Sequence, residues 1–251
     1  AYGEELSFYT PAILPTVTTL SPYTVTDSSA LSGGEVLTDG GDSITARGVV
    51  WGISTNPVLD SLYPIDSLGL GTFGSLIDSL SPVTTYYVRA YATNGVGTAY
   101  GEEYSFTTPA ALPSVVTSAY SSLTDSSVVS GGTVSFDGGA AVTARGLAWG
   151  LSPVPTIDSM SASSGSGEGS FVIDISGLDP ETKYYTRAWA TNAMGTAYAE
   201  PISFVTPAGL PRVSTLSVSS VTDSSAVSGG NVTDDRGADI TARGIVWSTS
   251  P

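Results

Sequence analysis

The stretch TARGVVWGIS at residues 45–54 returns as TARGLAWGLS at 143–152 and as TARGIVWSTS at 241–250. Trp51, Trp149 and Trp247 are thus spaced by 149 − 51 = 98 and 247 − 149 = 98 residues. Other landmarks keep the same step. Asp27, Asp125 and Asp223 each open an Asp-Ser-Ser triplet; Tyr2, Tyr100 and Tyr198 lie in AYGEELSF, AYGEEYSF and AYAEPISF; and Pro15, Pro113 and Pro211 fall in line. A strict period without insertion or deletion argues against a single core and dictates a tandem array of one small domain. It divides the chain into the last strand of a preceding module (1–10), two complete modules (11–108 and 109–206) and the first half of a further one (207–251). The two end pieces would leave open sheet edges and unfilled cores, so the chain reads as a window on a longer repetitive protein.

Within a module the hydrophobic period is two, which is the period of a strand and not of a helix. In the run from Thr85 to Asn94, Tyr86, Val88, Ala90 and Ala92 share one parity, and Tyr87, Arg89, Tyr91 and Thr93 the other. The first set is expected to face the core. In the repeated phrase, Arg47, Val49, Trp51 and Ile53 form the bulky face, which should also point inward, so Trp51 and Trp149 are expected to be largely buried. Turn signals punctuate these runs closely: Gly33-Gly34, Asp39-Gly40-Gly41, Asn56-Pro57 and Asn94-Gly95. Several short alternating strands in so few residues predict an all-β chain of tandem Ig-like antiparallel β-sandwiches.

Composition narrows the partners. The net charge is −15, with eight Lys and Arg against 23 Asp and Glu. Such a chain has little with which to meet phosphates, so nucleic acid and anionic membrane surfaces are not expected partners. No apolar run is long enough to span a bilayer as a helix. Charged residues make up 12% of the chain, about half the usual share, and Ser, Thr, Gly and Tyr stand in for them.

Leu80-Ser81-Pro82-Val83-Thr84-Thr85-Tyr86 and Leu178-Asp179-Pro180-Glu181-Thr182-Lys183-Tyr184 match the Leu-x-Pro-x-Thr-x-Tyr pattern that enters strand F of fibronectin type III domains. The following VRAYATN and TRAWATN, and then FTTP and FVTP, resemble that family's strands F and G. The phrase set as a whole is similar to the fibronectin type III-like repeats of secreted and cell-surface proteins of Bacteroidota. The resemblance implies tandem fibronectin type III-like sandwiches, which the short Pro-bounded junctions would string into an extended rod. It also implies that the Tyr86 and Tyr184 hydroxyls bond back to the turn before their strand. The core Trp of that family stands on strand B, whereas Trp51, Trp149 and Trp247 stand on the expected strand C.

Chemistry is sparse. The chain has no His and no Cys, which removes imidazole- and thiolate-based catalysis and metal sites. The carboxylate pairs Glu4-Glu5 and Glu102-Glu103 are adjacent in sequence, so on a strand they point to opposite faces and cannot converge on one bond. No catalytic, cofactor or metal residues are therefore expected. Asp27, Asp125 and Asp223, the Asp39–Asp42 turn, and Asp234-Asp235 near Asp239 offer oxygens to Ca²⁺. Against that, Asp-Ser-Ser suits a turn that satisfies its own backbone, the copies of Asp42 are Ala140 and Ala238, and Arg236 interrupts the third group. Tyr87, Arg89 and Tyr91, echoed by Tyr185, Arg187 and Trp189, would stack on sugars if exposed. The competing reading packs these rings over Gly48 and Gly52 with Arg89 stacked on them. Asp-Ser-aliphatic triplets recur at Ser43, Ser61, Ser67, Ser79 and Ser159. They look like the O-glycosylation acceptor of exported Bacteroidota proteins, and Ser61 and Ser159 occupy the same position in successive repeats.

Three functions compete on these terms. One is a semi-rigid stalk or fibre of a secreted or cell-surface adhesin or filament. The second is an array in which each module binds a glycan or protein, and the third is an accessory segment of an extracellular hydrolase. In the first, the partners are neighbouring modules, other copies in a fibre or a surface receptor, with covalent glycans on Ser. The junctions favour stiffness: Pro11-Ala12-Ile13-Leu14, Pro109-Ala110-Ala111-Leu112 and Pro207-Ala208-Gly209-Leu210 are short and bounded by Pro. Leu14, Leu112 and Leu210 are expected to be buried between modules.

Overall fold

Period-two sequence with β-branched and aromatic residues gives strands, and nothing else, in the computed structural model, which describes residues 2–59, 66 and 68–249. The chain divides into two compact units, Ala1–Ala111 and Leu112–Pro251, with the boundary inside the Pro109–Pro113 junction. The first unit contains β1 (Thr16–Tyr23), β2 (Ala30–Thr38), β3 (Ala46–Gly52), β4 (Gly71–Ile77), β5 (Thr85–Thr93), β6 (Thr98–Tyr100) and β7 (Tyr104–Thr107). One sheet runs β1-β2-β4; the other places β3 on one side of β5, with β6 and β7 in succession on the opposite side. All pairs are antiparallel.

The second unit repeats this order. Its strands are β8 (Ser114–Ser121), β9 (Ser127–Phe136), β10 (Ala144–Gly150), β11 (Met160–Ser163), β12 (Gly169–Ser176), β13 (Lys183–Asn192), β14 (Gly195–Tyr198) and β15 (Ile202–Val205). One sheet is β8-β9-β12, and the other is β11-β10-β13 with β14 and β15 along the far side of β13. The fold is all-β: antiparallel, fibronectin type III-like β-sandwiches.

Between the sheets lies one core per sandwich. In the first, Val36, Val49, Phe73, Ile77, Tyr86, Val88, Ala90 and Ala92 are buried together; in the second, Val134, Leu147, Phe171, Ile175, Tyr184, Ala188, Ala190 and Phe204 are. The β5 parity that faces inward is thus Tyr86, Val88, Ala90 and Ala92. Trp51 and Trp149 lie at the margin of their cores. Each is mostly buried and packed against its core cluster. Each is the second-last residue of its strand, so the indole closes the end of the core instead of filling its middle.

The sheets approach closely at the second Gly of the repeated Ser-Gly-Gly. A Cβ on Gly34 would stand 2.6 Å from the Ala90 Cβ, and one on Gly132 2.6 Å from the Ala188 Cβ and 2.8 Å from the Phe171 ring. A hydrogen bond crosses at the same place. The Ala90 N–H donates to Thr19 Oγ1 at 3.0 Å, and the Ala188 N–H donates to Thr117 Oγ1 at 3.0 Å. The reason is a break in the pairing strand. β6 ends at Tyr100 and β7 starts at Tyr104, so the Ala90 N–H needs a partner from the other sheet.

Few strands form at the two ends of the described residues. Residues 2–15 carry no strand, and Phe8 of the segment 1–10 expected to be a last strand is exposed. After residue 207 the only strands among the described residues are β16 (Arg212–Thr215) and β17 (Gly230–Asp234), paired with each other. TARGIVW is not a strand there, and Trp247 is 88% exposed. In the second sandwich the equivalent residues pair with β13, and residues 207–249 hold no counterpart of β13. An open cleft of about 470 Å³ lined by Val213, Val232, Ile240 and Ile245 is the unfilled half-core.

Two substitutions test this packing. Gly132→Val should destabilise the second sandwich by about 2–3 kcal/mol or more, because the branched side chain has no room against Ala188 and Phe171. Thr186→Val should do the reverse. The Thr186 hydroxyl is buried and has no hydrogen-bond partner among the described residues, and Val88 fills the same position in the first repeat. Removing an unsatisfied hydroxyl while keeping its shape should stabilise by about 1 kcal/mol. Urea unfolding of each variant checks both signs.

Candidate functional site

The arginine of TARG shows why that phrase is repeated. Arg47 is buried, and its Nη1 donates to the carbonyls of Gly69, Leu70 and Gly71 at 3.0, 2.9 and 3.0 Å. Arg145 donates in the same way to Gly167, Glu168 and Gly169 at 3.2, 2.7 and 2.9 Å. Each guanidinium lies over a ring, Arg47 over Phe73 at 5.1 Å and Arg145 over Phe171 at 5.4 Å. The planar cation therefore fastens the chain just as it enters β4 or β12. The signal in the sequence was a charge on the bulky parity of β3, followed about two dozen residues later by a Gly-rich bend.

At the other end of each sandwich the tyrosine corner is formed. The Ser81 N–H donates to Tyr86 Oη at 3.0 Å, and the Asp179 N–H donates to Tyr184 Oη at 3.1 Å. A threonine completes it. Thr108 Oγ1 donates to the Ser81 carbonyl at 2.6 Å and accepts from the Thr84 N–H at 3.0 Å. Thr206 does the same with Asp179 and Thr182, at 2.6 and 3.0 Å. Both threonines are buried. Sequence reasoning used the FTTP and FVTP phrases as strand endings and missed that their last Thr bonds the corner.

The outer face of β5 and β13 is not an open platform for sugars. Tyr91 is wholly buried and Trp189 nearly so. Tyr91 lies opposite Gly48, and Trp189 opposite Gly146, whose absent Cβ leaves room for Cζ2 of the indole. Arg89 departs from expectation in stacking on Tyr100, at 4.9 Å, and not on Tyr87 or Tyr91. Its Nε donates to the Gly101 carbonyl at 2.9 Å. Arg187 stacks likewise on Tyr198 at 4.9 Å. The two tyrosine hydroxyls accept from the Leu59 and Ile157 N–H groups at 2.9 and 3.2 Å, tying down the segments that follow β3 and β10. Burial pushes the pKa of Tyr91 above its usual value, and Asp66 and Tyr100 add to the rise. The stability this neutral phenol contributes is full below the ordinary tyrosine pKa of about 10 and is lost as pH climbs through the higher folded value.

The acidic candidates are dispersed among separate turns. In the Asp-Ser-Ser triplets the preceding threonine, not the Asp, holds the backbone. Thr26 Oγ1 accepts from the Ser29 N–H at 2.9 Å, and Thr124 and Thr222 repeat the bond at 2.9 Å. Asp42 accepts from the Ser43 N–H at 2.8 Å and the Gly95 N–H at 2.9 Å. Glu102 and Glu103 turn to different partners, the Thr19 and Asn56 N–H groups. No group of three or more acidic side chains placed to hold a metal ion occurs among the described residues. Ser43, Ser79 and Ser159 are exposed, while Ser61 and Ser67 lie outside the described residues.

Leu14 and Leu112 are 45% and 46% exposed, and Leu210 is 85% exposed. Each linker is held by the module it introduces. The Ile13 N–H donates to the Gly40 carbonyl at 2.9 Å, and the Ile13 carbonyl accepts from Asn94 Nδ2 at 2.7 Å. Leu14 and Leu112 rest against Gly97 and Gly195 of their own sandwiches.

No protein-family model and no curated protein matches the chain. Among solved structures, the crystal structure of the FN1–FN3 domains of chicken CNTN1 is similar over 85% of each chain, with a TM-score of 0.40 and 14% identity. The fold assignment rests on the strand order and pairing themselves. No helix among the described residues is long and apolar enough to cross a membrane.

Arg145→Met should destabilise the second sandwich by about 1–3 kcal/mol, since three carbonyls lose a charged donor. Arg145→Lys should recover only part of that loss, because an ammonium lacks the planar face that covers Phe171. Urea unfolding of the two variants measures the difference.

Proposed function

We propose that this chain is a structural repeat segment of a large bacterial cell-surface adhesin or filament, serving as a semi-rigid stalk or fibre. The observation that carries the reading is where the polar groups go. Of the side chains that would have made a repeated ligand site, Tyr91 and Trp189 are buried, and Arg89 and Arg187 are engaged inside their own modules by the Gly101 and Ala199 carbonyls and the rings of Tyr100 and Tyr198. What the repeat preserves is internal bracing: the Arg clamp, the tyrosine corner and the cross-sheet hydrogen bond. Bracing of this kind suits a spacer held under tension. The segment is accordingly non-enzymatic, secreted to the surface of a Bacteroidota-like bacterium, and partnered by neighbouring modules, other copies in a fibre or a surface receptor.

Small-angle scattering on a chain of three or more successive repeats tests the stalk. The particle should be elongated and should lengthen by roughly 30–40 Å per module, the span of strands of seven to ten residues plus their turns. A compact profile, or one from freely jointed modules, would reject the stalk and favour an array of ligand-binding modules.

Covalent sugar on serine belongs to the same proposal. Ser159 is exposed in a turn, where its Oγ accepts from the Thr156 N–H at 3.2 Å, a bond that leaves the hydroxyl open to a transferase. Glycopeptide analysis of protein from the native host should find O-linked sugar on Ser159 and Ser61. Unmodified peptides at both positions would remove this part.

A further inference from the structure

The second unit contains a contact that the repeat does not carry from copy to copy. Asp125, in the turn between β8 and β9, meets Arg236, in the turn after β17. Their Oδ2 and Nη2 are 3.0 Å apart, and the side chains are only 26% and 17% exposed. The pair Arg212 and Asp234, by contrast, is 4.0 Å apart on open surface. Two backbone bonds frame the partly buried pair, and both have counterparts in the first repeat, from Ile13 to Gly40 and from Val83 to Pro109. The Gly209 N–H donates to the Arg236 carbonyl at 2.9 Å, and the Glu181 N–H donates to the Pro207 carbonyl at 3.4 Å.

The fit is close enough to require particular residues. A Cβ on Gly209 would stand 2.3 Å from Asp125 Oδ2 and 2.9 Å from Arg236 Nε, and one on Gly237 would stand 2.7 Å from Glu181 Cγ. Arg236 itself sits at φ 53°. Its N–H is held by the Asp234 carboxylate at 2.9 Å, and that of Gly237 by the Asp235 carboxylate at 3.1 Å. In the earlier copies the residues differ. Gly40 and Gly138 stand where Arg236 does, Ile13 and Ala111 where Gly209 does, and Val83 where Glu181 does. The long cation, the missing side chain that makes room for it and the acid beside it therefore change together at one place.

We propose that the end of the 109–206 module formed by Asp125 and Glu181 is a socket for the Arg-bearing turn of the module that follows it. The junctions then carry addresses, and modules of this array are not interchangeable in order. The proposal deepens the stalk reading and rests on it for its biological sense. The bridge is partly buried, so it is stronger than an open surface pair and still weakened by salt.

Amide hydrogen exchange in the 251-residue chain tests it, with the Gly209 N–H as reporter and the Ala188 N–H as the control for an intact sandwich. Gly209 should be protected in the parent. Arg236→Gly, the residue of the two earlier turns, should lower that protection about tenfold without changing Ala188. Exchanging the charges in the double variant Asp125→Arg, Arg236→Asp should restore part of it. A Gly209 amide unprotected in the parent, or equally protected in Arg236→Gly, would overturn the proposal. A failed socket leaves the elongated scattering of a longer array untouched. A compact array with a protected Gly209 would remove the stalk and leave the socket.

Discussion

Each sandwich depends on how near its two sheets come at one point, where Gly34 meets Ala90 and Gly132 meets Ala188. Two small residues face one another there, and a wider side chain on either would prise the layers apart. Because the layers are that close, a short Thr side chain reaches across to the strand whose partner is interrupted. The aromatic residues then fill the space on either side, with Phe73 and Phe171 reaching the same Gly. Tyr86 with Phe106 and Tyr184 with Phe204 stack toward the corner end at 5.8 and 5.9 Å. The Arg clamp fixes the chain into β4 and β12, and the corner fixes it into β5 and β13. Both devices hold strands to the spacing that the glycine permits.

The two copies agree on this interior and diverge elsewhere, and the divergence has a physical pattern. Inside the second sandwich, Thr186 and Trp189 leave buried polar atoms without partners among the described residues, where the first has Val88 and Tyr91. Those are small losses in a sandwich that keeps all its bracing. At the turns the changes come as a set, in which Arg236, Gly209 and Glu181 fit one another. An array under selection for bracing would tolerate the first kind of change and use the second.

Much of this was legible in the sequence because strand parity and spacing are local properties. The inward set on β5 followed from alternation, and the corner hydroxyls followed from the Leu-x-Pro-x-Thr-x-Tyr run. Alternation gives a face but not a distance from the strand's end, which is why Trp51 and Trp149 pack at the margin of their cores and not in the middle. Linker sequence gives length and stiffness but not attachment. Leu14 rests on its own module because Asn94 and Gly40 bind the backbone of Ile13 beside it. Residue type alone pointed to Asp27 as the turn former, whereas the hydroxyl of Thr26 is closer to the N–H groups that need an acceptor. The role of Arg47 was hidden because its partners are backbone carbonyls, which sequence does not mark.

The central claim is that each repeat is a separately closed and braced unit, and stretching a single molecule of this chain from its ends tests it most directly. Each unfolded module releases 98 residues, which at about 3.4 Å each, less the folded length, is roughly 300 Å. The account predicts two rupture events of about that increment, one for each complete sandwich. A single rupture that releases both lengths together would contradict it.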